Sequence, residues 1–163
     1  MMSETNSKTL TVTLPSDLEI RMTRVFAAPR QRVFDAWTKP ELLKQWFGRR
    51  GDTLSVCDVD LRVSGAYRFV FQLREGGEMG MGGVYHEIAA PERLVNTEVF
   101  DDYAAMGEGL NTMVLEERDG RTTVTITSRY PSKETRDAVI ESGMEGGASE
   151  SFDRLAELLE TLS

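Results

Sequence analysis

The sequence predicts an α+β fold in which a long C-terminal helix lies against one face of a curved antiparallel sheet. Three observations predict it. Between residues 52 and 130, apolar and polar residues alternate in short runs joined by tight turns. Two short helices with apolar stripes, divided by Pro40, follow the first strand. The chain ends in a run whose apolar residues recur at helical spacing, and such a stripe needs a sheet to cover.

The elements follow in order. Residues 1–16 are polar and Ser/Thr-rich and read as a loose tail, although Leu10, Val12 and Leu14 alternate with Thr as an edge strand would. Residues 17–163 form a single domain. Its first strand runs from Glu19 to Ala27 and puts Ile20, Met22, Arg24 and Phe26 on one face. Pro29 suits a first helical turn, and Val33, Phe34 and Trp37 form the stripe of a short helix. Thr38 and Glu41 have capping-box spacing, which predicts a second helix carrying Leu42, Leu43, Trp46 and Phe47 and ended by Gly48.

Cys57, Val59 and Leu61 alternate in the next strand. Ser64-Gly65 turns the chain into the strand of Tyr67, Phe69 and Phe71, and Glu75-Gly76-Gly77 turns it again. In the strand from Met79 to Ile88, the glycines at 80, 82 and 83 predict a bulge or bend. Ala90-Pro91-Glu92 breaks that strand, Leu94 to Phe100 follows, and a loop spans 101–109. Asn111 to Glu117, Asp119-Gly120 and Thr122 to Tyr130 make the last hairpin. A helix from Ser132 to Glu141 is expected to be interrupted by Gly143, Gly146 and Gly147 before the final stripe begins at Phe152 and Leu155.

Composition excludes several classes of function. With 163 residues and 40% hydrophobic content, the chain buries roughly 70% of its unfolded surface and needs no metal or disulfide to fold. A net charge of -8 argues against nucleic acid and anionic membranes, which select basic patches. The single cysteine, Cys57, forbids an internal disulfide and suits a reducing, cytoplasmic compartment. With one histidine, His86, the chain lacks the ligands of a Cys/His zinc site, and nothing calls for a cofactor. The N-terminus has neither the basic start nor the apolar stretch of a signal peptide, and no apolar run approaches the ~20 residues of a membrane span.

Four segments then carry a resemblance: RVFAAPRQRVFDAWTKPELLKQWFG, VDLRVSGAYRFVF, GGVYHEIAAPERLVNTEVF and TVTITSRYPSKETRDAVIESGMEGGASESFDRLAELLE. In this order, from about Leu18 to Leu162, they resemble the Activator of Hsp90 ATPase homologue 1-like family. That family belongs to the START-like or Bet v 1-like superfamily, also called SRPBCC. The resemblance implies a helix-grip fold with a cavity between sheet and terminal helix. It transfers no catalytic motif, because relatives range from lipid carriers and hormone receptors to polyketide cyclases and co-chaperone domains. Two departures stand out: Arg49-Arg50 follows Phe47-Gly48 where the family often has proline, and Ser64-Gly65 replaces paired glycines. The eukaryotic Hsp90 activators carry a further N-terminal domain for which this chain leaves no room, so a stable complex with Hsp90 is not expected.

The expected function is to bind a small apolar or amphipathic molecule, as a monomer or homodimer. Alternatives are an Hsp90-related interaction domain and a cyclase- or hydrolase-type enzyme. Tyr67, Phe69 and Phe71 are either core or cavity wall, and Trp46, Phe100 and Phe152 join them as candidates. Met81, Met113 and Met144 adapt to irregular gaps and varied ligands. Arg24 is either a structural ion pair or a polar anchor for an anionic ligand group. His86 is either a packing or surface residue or, with Asp58 or Glu98 as partner, a general base. Cys57 reads as a buried inert thiol, Asp60 and Arg62 as a turn brace, and Arg49 and Arg50 as solvated. Glu150, Asp153, Glu157 and Glu160 read as an exposed acidic face.

Overall fold

A computed structural model of the chain describes residues 9–162. The predicted tail lies partly outside that range, but Thr11–Thr13 forms a short strand, β1, beside β2 (Glu19–Phe26). Helices α1 (Arg30–Thr38) and α2 (Pro40–Trp46) follow. Six strands come next: β3 (Thr53–Val59), β4 (Ala66–Gln72), β5 (Glu78–Ala89), β6 (Arg93–Phe100), β7 (Gly109–Arg118) and β8 (Arg121–Arg129). A 3-10 segment, Asp101–Met106, fills the loop between β6 and β7. Helices α3 (Lys133–Glu141) and α4 (Met144–Thr161) close the chain.

All eight strands form one antiparallel sheet in the order β1-β2-β8-β7-β6-β5-β4-β3. Every connection from β3 to β8 is a hairpin, as expected where turn residues recur at short intervals. The one long link, from β2 to β3, carries α1 and α2 across the inner face. Strand β2 pairs with the last strand, β8, with Arg24 opposite Val124 and Phe26 opposite Thr122. Leu10, just before β1, is buried in the core, so the polar N-terminal stretch contributes an apolar anchor to the domain.

Two local expectations are corrected. The Thr38/Glu41 spacing forms no capping box: Thr38 Oγ1 donates to Phe34 O at 2.9 Å within α1, and Lys39 is the N-cap of α2. Pro40 at the first position of α2 sets its start, since proline has no N–H to lose there. Gly146 and Gly147 do not interrupt the last helix, which runs unbroken from Met144; the break is at Gly143, whose φ of 84° is a left-handed conformation. Ser132 caps α3 as its position suggests, accepting from Thr135 N at 3.1 Å.

The core joins α4 to β2 through aromatic rings. Phe152 lies edge-on to Phe26 (6.2 Å between centroids) and to Trp37 (5.5 Å). Trp46 is fully buried, and its indole N–H donates to Ala36 O at 2.9 Å, which satisfies the one polar atom that burial would leave unpaired. Arg154 binds α2 to α4, with Nη2 donating to Gln45 O and Nη1 to Gly48 O and Arg49 O. These carbonyls lie at and beyond the C-terminus of a seven-residue helix, where a cation is favoured.

The residues expected to be free charges are engaged. Arg49 is paired with Asp52 and Glu75, and Arg50 with Glu157. Glu150 holds Arg74, and Asp153 holds Arg24. The acidic stripe of α4 and the arginines around it thus clasp the helix to the loop after α2 and to the β4–β5 hairpin.

Candidate functional site

Opposite α1 and α2, the inner face of the sheet is not filled. A partly open cavity of about 90 Å3 lies there. Trp37, Leu43 and Phe47 from the two short helices form its roof. Tyr67 and Phe69 from β4, with Met81 and Tyr85 from β5, form one wall, and Leu94, Met113 and Ile126 continue it across β6, β7 and β8. Strand periodicity explains the wall, since each of these side chains is two residues from a neighbour that also points inward.

One end of the cavity is polar. Asn96 and Glu98 share the inner parity of Leu94, and Asn111 shares that of Met113. Asn111 Nδ2 donates to Glu98 Oε2 at 3.2 Å, and its Oδ1 accepts from Ser128 Oγ at 2.7 Å. Tyr67 OH donates to Thr97 O at 2.5 Å and accepts from Asn96 Nδ2 at 3.0 Å. Burial pushes the Glu98 carboxyl up to about 6, against which the Asn111 bond pulls down. Burial also raises the phenols: Tyr130 to about 12, and Tyr67 and Tyr85 further.

Of the candidates read from the sequence, four meet at this cavity: Tyr67, Phe69, Met81 and Met113. The other seven lie elsewhere. Trp46 is behind Trp37, with its rings 4.9 Å away, and Phe152 is behind both. Phe71 packs on Phe47 and against Gly48. Phe100, half-buried, is the register partner of Met81 at the end of β6, and Met144 begins α4. Arg24 is buried beneath α4, with Nη1 2.5 Å from Asp153 Oδ1 and its guanidinium 5.4 Å from the Phe26 ring centre. Its place is that of a structural ion pair.

His86 is exposed. The ladder between β5 and β6 slips by one residue between Tyr85 and Glu87, and His86 is the extra residue of that bulge. Tyr85 takes the inner position instead. Glu98, by contrast, is an acid inside the cavity. Sequence reading considered it only as a partner for His86, yet its shared parity with Leu94 and Phe100 placed it on an inward face.

Cys57 is buried and its thiol is raised by desolvation, which fits an inert packing role. Arg62 Nε donates to Asp60 Oδ2 at 2.9 Å, bracing the β3–β4 turn. Among the described residues, no group of His, Cys, Asp and Glu is arranged to hold a metal ion, and no helix is long and apolar enough to cross a membrane.

An open, curved, eight-stranded antiparallel sheet against a C-terminal helix, with two short helices roofing a gap, defines the helix-grip class of α+β domains. Residues 27–160 match the family model described as Activator of Hsp90 ATPase homolog 1-like protein, and the chain belongs to that family. Similar solved structures are bacterial proteins. One from Rhodobacter sphaeroides is 29% identical, with a TM-score of 0.87 over 94% of this chain and 99% of that one. One from Chromobacterium violaceum is 30% identical, with a TM-score of 0.77 over 89% and 99%. One from Nitrosomonas europaea is 26% identical, with a TM-score of 0.81 over 91% and 97%. No curated protein matches the chain.

Proposed function

We propose that the protein binds a small, mostly apolar molecule in the cavity between α1, α2 and strands β4–β8. The observation that carries this reading is the void itself: aromatic and aliphatic side chains on most of its surface, and Asn96, Glu98 and Asn111 gathered at one end. An apolar lining with a few convergent polar groups is the common form of a small-molecule site. Size limits the occupant. A cavity of about 90 Å3 is below the roughly 150 Å3 that holds a benzene ring and well below the roughly 300 Å3 of drug-sized sites. Lipids and polycyclic compounds therefore require the roof to lift, whereas a branched compound of five or six heavy atoms needs only a small adjustment of the adaptable methionine wall.

Native mass spectrometry of protein purified from its own host tests the reading. The expected result is an added small mass that is lost on denaturation, and lost also from a Met81→Trp variant that fills the void. A bare mass under gentle conditions, with no response of Trp37 fluorescence to small apolar compounds, overturns it.

The family description favours a second reading, action on Hsp90 through the protein surface. A pull-down with the host Hsp90 tests that, and we expect no stable complex. An enzymatic role, if present, passes from His86 to Glu98, the acid inside the cavity. The reading also puts the protein in the cytoplasm, where a lone buried thiol such as Cys57 stays reduced.

A further inference from the structure

The hydrogen bonds and the charges at the polar end of the cavity together constrain what kind of polar group its occupant carries. The Tyr67 hydroxyl proton is committed to Thr97 O. Asn96 Nδ2 donates toward both Tyr67 OH at 3.0 Å and Thr97 O at 3.1 Å. Because Thr97 O is only an acceptor, it fixes the orientation of that amide and turns Asn96 Oδ1 away from it. Asn111 gives one amide proton to Glu98 Oε2, and its own oxygen is taken by Ser128. What remains is two acceptors, Glu98 Oε1 and Asn96 Oδ1, and two donors, the second Asn111 N–H and the hydroxyl of Tyr85, which also lines the cavity.

The charge inventory decides between them. Among the residues that line the cavity there is no Lys, Arg or His, and the only ionisable acid is Glu98. Arg24 is held by Asp153 beneath α4, and Arg49, Arg50 and Arg74 are held on the outside by Asp52, Glu75, Glu157 and Glu150. A ligand carboxylate or phosphate entering the cavity meets a buried like charge and no cation. A hydroxyl or ammonium meets unoccupied acceptors in a poorly hydrated site, where such a bond is strengthened and a mismatch is costly.

We propose that the cavity selects a small hydrogen-bond donor, an alcohol or an amine on a compact apolar body, and rejects the corresponding acid, with Glu98 as the discriminating residue. This rests on the ligand-binding reading above and adds the chemical class of the ligand. The methionines Met81 and Met113 provide the adaptable part of the wall, so the polar end sets selectivity and the apolar end tolerates variation in shape.

The test uses the intact protein at pH 8 with three matched probes, isobutylamine, isobutanol and isobutyrate. All have five or six heavy atoms and share one branched apolar body, so they differ chiefly in the polar group. Binding is read from the NMR signals of the Met81 and Met113 methyl groups. The expected result is that the amine and the alcohol shift both methyls and bind at least tenfold more tightly than isobutyrate, and that Glu98→Gln brings the amine and the acid to within about threefold of each other. Equal binding of all three probes, or an order unchanged in Glu98→Gln, overturns the donor selectivity and leaves the cavity reading in place. If none of the three shifts either methyl, the cavity reading fails and the selectivity fails with it. Should Glu98→Gln not fold, the ranking of the three probes on the unaltered protein decides.

Discussion

The two halves of the sheet's inner face are covered in opposite ways. Over β2, helix α4 fits closely: Phe152 meets Phe26, Trp37 and Trp46, and Leu155 is fully buried. Over β4 to β7, the two short helices stand off and leave a void with polar groups at its end. The same kinds of residue, aromatic and aliphatic, line both halves, so composition does not separate the packed half from the hollow one. What separates them is the covering element. An eighteen-residue helix with a continuous stripe follows the sheet closely. Two helices of nine and seven residues, set at an angle by Pro40, reach over the void with Trp37, Leu43 and the following Phe47 and do not fill it.

That contrast breaks or holds under substitution. Phe152→Ala removes a ring from the packed half and is expected to cost about 3–5 kcal/mol in urea unfolding, the usual toll for a buried aromatic. Met81→Ala, on the hollow half, should cost only about 2 kcal/mol, the low end for such truncations, because its side chain already borders empty space. Equal losses at the two sites would show that the cavity wall is packed as tightly as the rest.

The ion pair beneath α4 sharpens the same point, because its two ends differ in exposure: 5% for Arg24 and 47% for Asp153. Asp153→Ala strands a buried guanidinium whose Nε has no hydrogen-bond partner, and about 3 kcal/mol should be lost. Arg24→Met leaves only a carboxylate that water can solvate, and unfolding should shift by less than about 1 kcal/mol. If Arg24→Met proves the more damaging, the arginine contributes more than a tolerated charge.

Glu98 gives the hollow half a pH signature. Its folded-state value of about 6 stands above the ordinary 4.5, so between those two values the folded protein holds a proton that the unfolded chain has released. Stability from this group is complete below pH 4.5 and is lost as pH rises through 6, a decline of at most about 2 kcal/mol. The phenols of Tyr67 and Tyr130, raised by burial, stay neutral throughout this window. Glu98→Gln should abolish the decline, seen as a widening stability gain over the unaltered protein from pH 4.5 to 7. The smallest effect is expected at the Arg50–Glu157 pair, both of whose side chains are exposed: Arg50→Ala should leave the urea midpoint unchanged.

Much of the architecture was legible because it rests on local periodicity. Alternation marked the strands, Glu75-Gly76-Gly77 and Asp119-Gly120 marked hairpins, and the stripe from Phe152 to Leu162 marked the last helix. The site was less legible, for identifiable reasons. Choosing Trp37 over Trp46 as the cavity residue requires the packing angle between two short helices, which no window of sequence contains. His86 was misplaced because a one-residue bulge inverts parity downstream of Tyr85, and parity was the only guide to its direction. Glu98, Asn96 and Asn111 did carry a signal, since they occupy the parity of Leu94 and Met113. Polar residues on an inward face are the mark to look for when a sheet encloses a cavity.

Gly83 lies between Met81 and Tyr85 on β5. A Cβ placed there would fall 2.0 Å from the carbonyl oxygen of Thr97, the same oxygen that Tyr67 and Asn96 hold. Any larger residue must prise β5 from β6 and dismantle the polar end along with it. For anyone redesigning this protein as a sensor or carrier, the hollow is therefore adjustable from its methionines and its roof, while its floor is fixed.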